Sequence, residues 1–247
     1  MTRGDRIRDL ENKNPLRPSL AQMSDEDVEF AYNEEILGKW ILYHGSEFII
    51  DPPVFGKGEA SNDYGLGFYM TRYPELAAEW ACHGSNKSGI VNKYEVYMND
   101  LKVLNMDEEP LEHWISILVQ NRDNRVGLGA REFMNQFIQK YPINTAGYDV
   151  IKGWRADDSY YAFIRAFFSA ALSLEQLRVA MRLGEYGTQY CLISEKSFKQ
   201  VKHIGNYEVN AEEYYMKRCA RDIKAKESFD NIENKTVGTL IVDILRR

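Results

Sequence analysis

An α+β fold is what the sequence predicts: a mainly antiparallel sheet flanked by helices, with a helical extension at its C-terminal end. Three observations carry this. Strand-like runs at 39–43, 67–71, 91–98, 101–104, 148–153 and 188–194 recur through the middle of the chain. Helices and loops of uneven length separate them, with no internal repeat and no regular strand–helix–strand spacing. From Asn210 onward the apolar pattern is helical only.

In chain order, residues 1 to about 23 are polar and carry Pro15 and Pro18, which reads as an arm that docks on the domain or stays mobile. Ser24 followed by Asp27 forms a capping pattern ahead of Val28, Phe30 and Ile36, so a short helix precedes the first strand. Lys39 to Tyr43 starts the sheet. Residues 51–67 are dense in Pro, Gly, Ser, Asn and Asp, and a loop of that length is often functional. Gly67 to Thr71 returns to strand, and Pro74 suits the first turn of a helix running to Cys82. Val91 to Met98 alternates as a half-buried strand does, and Leu101 to Leu104 continues the sheet.

Residues 107–141 read as helices around the loop 121–129, with Trp114, Ile115, Leu118, Val119, Phe133, Met134, Phe137 and Ile138 at core-packing spacing. A strand over 148–153 follows, and Ser173 with Gln176 caps a later helix. Thr188 to Ser194 is the last strand expected. Two helical patterns end the chain, the second placing Val237, Leu240, Ile241, Ile244 and Leu245 on one face as a helical appendage and candidate partner surface. The boundaries are an N-terminal arm and short helix at 1–36, a central domain at 37–208 and a C-terminal helical extension at 209–247.

Composition restricts the function classes. With 247 residues, 44% of them apolar and 28% charged, the chain is globular. Its apolar runs break before the ~18–20 residues of a membrane span, and the N-terminus lacks the apolar stretch of a secretory signal. Three cysteines without metal-ligand spacing suit a reducing compartment, and cytoplasmic location is the expectation. The four histidines likewise lack ligand spacing, so no metal is expected. A net charge of −6 gives no general attraction to nucleic acid.

Each chemical candidate has a bland reading. His44, at a strand end in Tyr43-His44-Gly45-Ser46, is the kind of residue that more often makes a structural hydrogen bond. The glycines of Tyr64-Gly65-Leu66-Gly67-Phe68-Tyr69 precede a strand, whereas a Rossmann motif follows one and opens a helix. Aromatics at 68, 69, 73 and 80 ordinarily belong to a core. Order and spacing change this. A strand ending in His-Gly-Ser, a Pro/Gly-rich loop, Gly-x-Gly-Phe-Tyr-Met-Thr and an alanine-rich helix bearing Trp80 resemble the NAD pocket of the ADP-ribosyltransferase superfamily, in particular its poly(ADP-ribose) polymerase-like branch. YHGS, NDYGLGFYMTRYPELAAEWAC, GYDVIKGWRADD and TQYCLISEKSF together resemble the bacterial DUF3990 family over roughly residues 40–205, with 107–141 as a helical insertion.

That resemblance implies a split, mainly antiparallel sheet and NAD as ADP-ribose donor. It implies that His44 bonds the adenosine ribose, that the Gly45 backbone pairs with the nicotinamide carboxamide, and that Tyr69 and Trp80 sandwich the nicotinamide ring. Gly67 belongs to the same wall, Ser46 adds a hydroxyl, and 51–64 is the donor loop. Where relatives place a glutamate on a late strand, this chain has Gln189, which accepts a hydrogen bond but carries no charge. Asp157 or Asp158 can supply the charge, or serve only as turn and cap residues, and Glu185 is a further candidate. Lys57, Arg72, Lys152 and Arg155 are candidate contacts to pyrophosphate or an anionic acceptor.

The implied activity is mono-ADP-ribosyl transfer to a macromolecule, with protein favoured over RNA or DNA by the charge, in a bacterial toxin–antitoxin or phage-defence setting with an antitoxin partner. The alternatives are an NAD- or ADP-ribose-binding module without turnover, an NAD glycohydrolase, and an interaction scaffold whose aromatics are plain core.

Overall fold

The structure is a computed structural model that describes residues 1–14, 20–82, 87–122, 127–156, 158–180, 187–233 and 238–246. Seven strands pair into one sheet: β1 (Lys39–Ser46), β2 (Phe68–Thr71), β3 (Gly89–Tyr97), β4 (Val103–Asn105), β5 (Val150–Trp154), β6 (Thr188–Leu192) and β7 (Val201–Val209). Their order is β4-β5-β6-β2-β1-β3-β7, and every pair is antiparallel except β4 with β5. The expected split into two half-sheets is replaced by one continuous sheet. Its ladder is thinnest in the middle, where β1 and β2 share the single register pair Tyr43↔Thr71. By contrast, β1 matches β3 from Lys39↔Tyr97 to Ser46↔Ile90.

β7 was not expected from the sequence. It pairs along β3, but the register slips between Lys93 and Tyr94, where Gly205 takes φ +155°. A bulge of this kind breaks the two-residue alternation that marks a strand, and glycine tolerates the backbone it needs.

Helices cover the sheet: α1 (Arg3–Lys13), α2 (Asp25–Glu35), α3 (Pro74–Ala81), α4 (Leu111–Asn121), α5 (Leu128–Lys140), α6 (Asp158–Phe168), α7 (Leu174–Ala180), α8 (Glu195–Phe198), α9 (Ala211–Glu233) and α10 (Ile241–Arg246). Successive residues of β5 and β6 face opposite sides, as the strand pleat dictates. Ile151 and Cys191 join a core with Trp114, Phe137, Phe167 and Phe168. Val150, Tyr190 and Leu192 join a second core with Leu42, Met70 and Tyr94. The helices at 107–141 contribute Leu111, Trp114, Ile115, Leu118, Met134 and Phe137 to this core, alongside Ile164, Phe167, Phe168 and Leu177 of the helices after β5. Ile241 and Ile244 of α10, on the helix face read from the sequence as a candidate partner surface, are buried in that core.

Within the N-terminal arm, Arg3–Lys13 forms α1. Thr2 and Asp5 form a capping box for α1, and Leu10 is buried against Val28, Ala31 and Tyr32 of α2. Ser24 caps α2 through the Asp27 N–H, and Ser173 exchanges hydrogen bonds with Gln176 at the start of α7. Among the described residues no helix is long and apolar enough to cross a membrane.

Asp149 ties the loop before β5 to the end of β6. It accepts from the Lys102 N–H at 2.9 Å and from Ser194 Oγ at 2.6 Å, with Lys196 Nζ at 3.5 Å. Burial acts to raise its pKa, but the Ser194 and Lys102 hydrogen bonds and the Lys196 charge outweigh it, so the folded value is lowered. A lowered carboxylate supports the fold above its unfolded value and loses that support as pH falls through the folded one. Asp149→Ala is expected to cost about 1–3 kcal/mol at neutral pH and less in acid, read from urea unfolding at both pH values.

Candidate active site

At the thin β1/β2 seam the sheet opens into a cleft of about 840 Å³, within the range typical of small-molecule sites. His44 on β1, Tyr69 on β2, Trp80 on α3 and Gln189 on β6 all line it. The loop from Ile49 to Asp63 and residues Arg122, Arg155 and Arg218 complete its walls.

His44 spans the seam where the backbone ladder stops. Its Nδ1 lies 2.6 Å from the Tyr69 carbonyl oxygen, which only accepts, so Nδ1 carries a proton and donates it. The ring lies against Phe68, with centroids 4.5 Å apart and planes 32° apart. The Tyr69 hydroxyl donates to the Gly65 carbonyl at 2.7 Å and accepts from the Tyr64 N–H at 2.9 Å. Burial raises its pKa far above the ordinary range, so it remains a neutral phenol that fixes the end of the loop. Cys191 packs behind it with its thiol pushed up to about 12 by burial, which leaves no nucleophilic thiolate there.

Trp80 is half-buried, and its indole Nε1–H is buried without a hydrogen-bond partner among the described residues. The Arg155 guanidinium lies 5.4 Å from the Trp80 ring centroid, a cation over an aromatic face. A cationic ring stacking on Trp80 must share or displace it.

Gly45 and Gly67 have packing reasons to be glycine. A Cβ at Gly45 would stand 1.8 Å from the Ala77 carbonyl oxygen of α3, and one at Gly67 would stand 2.4 Å from Cys191 Sγ. Both residues line the cleft. Ser46 does not join the lining: its hydroxyl donates to the Phe48 carbonyl and accepts from Asn92 Nδ2 at 3.0 Å, bracing the turn after β1.

Gln189 is 3% exposed, and its Nε2 donates to Asp63 Oδ2 at 2.9 Å and to the Trp154 carbonyl at 3.2 Å. Two acceptors fix the amide orientation. Asp63 is the acidic residue that sequence reasoning missed. It is 6% exposed, lines the cleft and also accepts from the Ala156 N–H at 2.8 Å and Arg122 Nη1 at 3.1 Å. Burial raises its pKa, opposed by Arg122, the Ala156 N–H, Gln189 and Arg155. Arg122 further donates to the Ala156 carbonyl and lies 4.8 Å from the Tyr161 ring centroid.

Of the other candidates, Asp158 opens α6, while Asp157 and Glu185 lie outside the described residues. Lys57 and Arg155 line the cleft. Arg72 instead pairs with Glu34 at 2.9 Å and stacks on Trp40, and Lys152 pairs with Asp107 at 3.0 Å. Among the described residues no cluster of His, Cys, Asp and Glu is arranged to hold a metal ion.

Fold and site together define an α+β protein with a ligand-sized cleft at a strand seam, walled by a histidine, two aromatics and a buried carboxylate–amide pair. The family model described as "Protein of unknown function (DUF3990)" matches residues 40–203, and the chain belongs to that family. No curated protein and no solved structure matches the chain.

Proposed function

We propose that the cleft binds NAD and that the protein transfers ADP-ribose from it to a macromolecular acceptor, releasing nicotinamide. The observation that carries the reading is convergence: His44, Tyr69, Trp80 and Gln189, drawn from three strands and a helix, wall one cleft together with the buried Asp63. In the reaction the bond between nicotinamide and its ribose breaks, and the electron pair leaves with nicotinamide. The sugar carbon passes through an oxocarbenium-like state before an acceptor oxygen or nitrogen attacks it and loses its proton. Cationic character at that carbon calls for negative charge nearby.

Gln189 offers its amide oxygen, and Asp63, held 2.9 Å from the Gln189 amide nitrogen, supplies the charge that a glutamate at position 189 would bring. Trp80 offers its ring to the nicotinamide end, and the 51–64 loop covers the donor.

His44→Ala tests the assignment with little risk to the core, since the residue is only half-buried. The expected result is loss of nicotinamide release, by about 10²-fold or more, with the fold retained and stability lowered by about 1 kcal/mol for the lost seam hydrogen bond. Turnover at the wild-type rate would exclude His44 from the site. Free ADP-ribose as sole product would instead identify a glycohydrolase.

A further inference from the structure

Helix α9 lies beyond the matched family segment, yet it contributes Arg218 to the cleft. Its seat is fixed by α3. Lys217 Nζ lies 3.1 Å from Glu75 Oε2, the Tyr214 hydroxyl lies 3.4 Å from Glu75 Oε1, and Arg221 pairs with the largely buried Glu79. Residues 214, 218 and 221 follow the four- and three-residue spacing that puts side chains on one helix face, so Arg218 sits between two anchors to α3, beside the turn that bears Trp80.

Three cations stand close together on this helix, and two of them are spent on glutamates. Arg218 has no acidic partner among the described residues, although it is half-buried. A partly desolvated guanidinium without a counter-charge is costly unless a ligand supplies one. The acids of the cleft do not serve. Asp63 is engaged by Arg122, Asp51 lies 3.4 Å from His203 Nδ1, and Glu59 is exposed on the loop. Lys57 adds a further cation to the same cleft.

We propose that α9 is a wall of the donor site and that Arg218, with Lys57, grips the diphosphate of the bound nucleotide. The inference rests on the NAD reading for the identity of the ligand, while its chemistry, a diphosphate ester, can be tested separately. The C-terminal helix is then part of the catalytic unit, and a fragment ending near residue 209 lacks a ligand contact.

The test is calorimetric titration of the full-length protein with ADP, ADP-ribose and nicotinamide, together with an NAD turnover assay, on wild type, Arg218→Gln and Arg218→Lys. The expected result for Arg218→Gln is about a tenfold or greater loss of affinity for ADP and ADP-ribose, the worth of a charge-assisted hydrogen bond, with nicotinamide affinity unchanged. Arg218→Lys keeps the charge and retains most of the affinity, which separates loss of the contact from loss of the fold. Wild-type ADP affinity in Arg218→Gln, with NAD turnover intact, overturns the inference and leaves the NAD reading standing. ADP binding that depends on Arg218 in a protein that does not cleave NAD supports the diphosphate grip and removes the proposed reaction. Failure of wild type to bind ADP or ADP-ribose overturns both.

Discussion

Asp63→Asn is expected to lower nicotinamide release by about 10²- to 10³-fold, the usual cost of removing one preorganised electrostatic group from a transition state. The substitution keeps the shape and the acceptor for the Ala156 N–H but removes the charge beside Gln189. It also leaves the Arg122 guanidinium without its carboxylate, although the Ala156 carbonyl and the Tyr161 ring remain. Stability therefore falls as well, and binding must be measured beside turnover: unchanged NAD affinity with lost turnover isolates the chemical role.

Proton linkage gives a second readout for Asp63. Because burial raises its pKa, the carboxyl stays protonated to a higher pH than an exposed aspartate, and turnover that needs the anion rises along a limb displaced upward from the ordinary value of about 4. Asp63→Asn removes that limb. Gln189→Glu is not expected to raise turnover here. It places a second carboxylate where the amide donates to Asp63 at 2.9 Å, so one of the two must hold a proton.

Gly45→Ala is the other large effect. The new methyl would stand 1.8 Å from the Ala77 carbonyl oxygen and 2.6 Å from the Ala81 nitrogen, both backbone atoms of α3 that no rotamer change can move. Helix α3 must shift off β1, at a cost of about 1–3 kcal/mol or more, and it carries Trp80 with it. The expected outcome is a lowered thermal midpoint and weakened NAD binding together. A stable Gly45→Ala protein that has lost only NAD binding would place the requirement for glycine in ligand approach instead of helix packing.

Much of the fold was legible because its signals are local. The Ser173–Gln176 and Ser24–Asp27 caps, Pro74 at the start of α3 and the apolar spacing of α4 and α5 are written in adjacent residues. β7 was hidden by the Gly205 bulge, and the continuity of the sheet depends on one β1/β2 register pair that no sequence pattern marks. In the site, His44, Tyr69, Trp80 and Gln189 were singled out through the resemblance of their motifs to a known family. Asp63 did not, because an aspartate in a loop rich in Gly, Asn and Pro reads as a turn former until Arg122, Ala156 and Gln189 close around it. Arg218 was lost among the charges of a long polar helix, and only the pairing of Lys217 and Arg221 with α3 sets it apart.

The most direct test of NAD-dependent transfer is incubation of the purified protein with adenylate-labelled NAD and a cell lysate, separated afterwards into protein and nucleic-acid fractions, beside His44→Ala and Asp63→Asn. The account requires label retained covalently in one fraction, nicotinamide released in step with it, and both lost in the variants. Intact NAD in every reaction, or label transfer unaffected by either substitution, would contradict it.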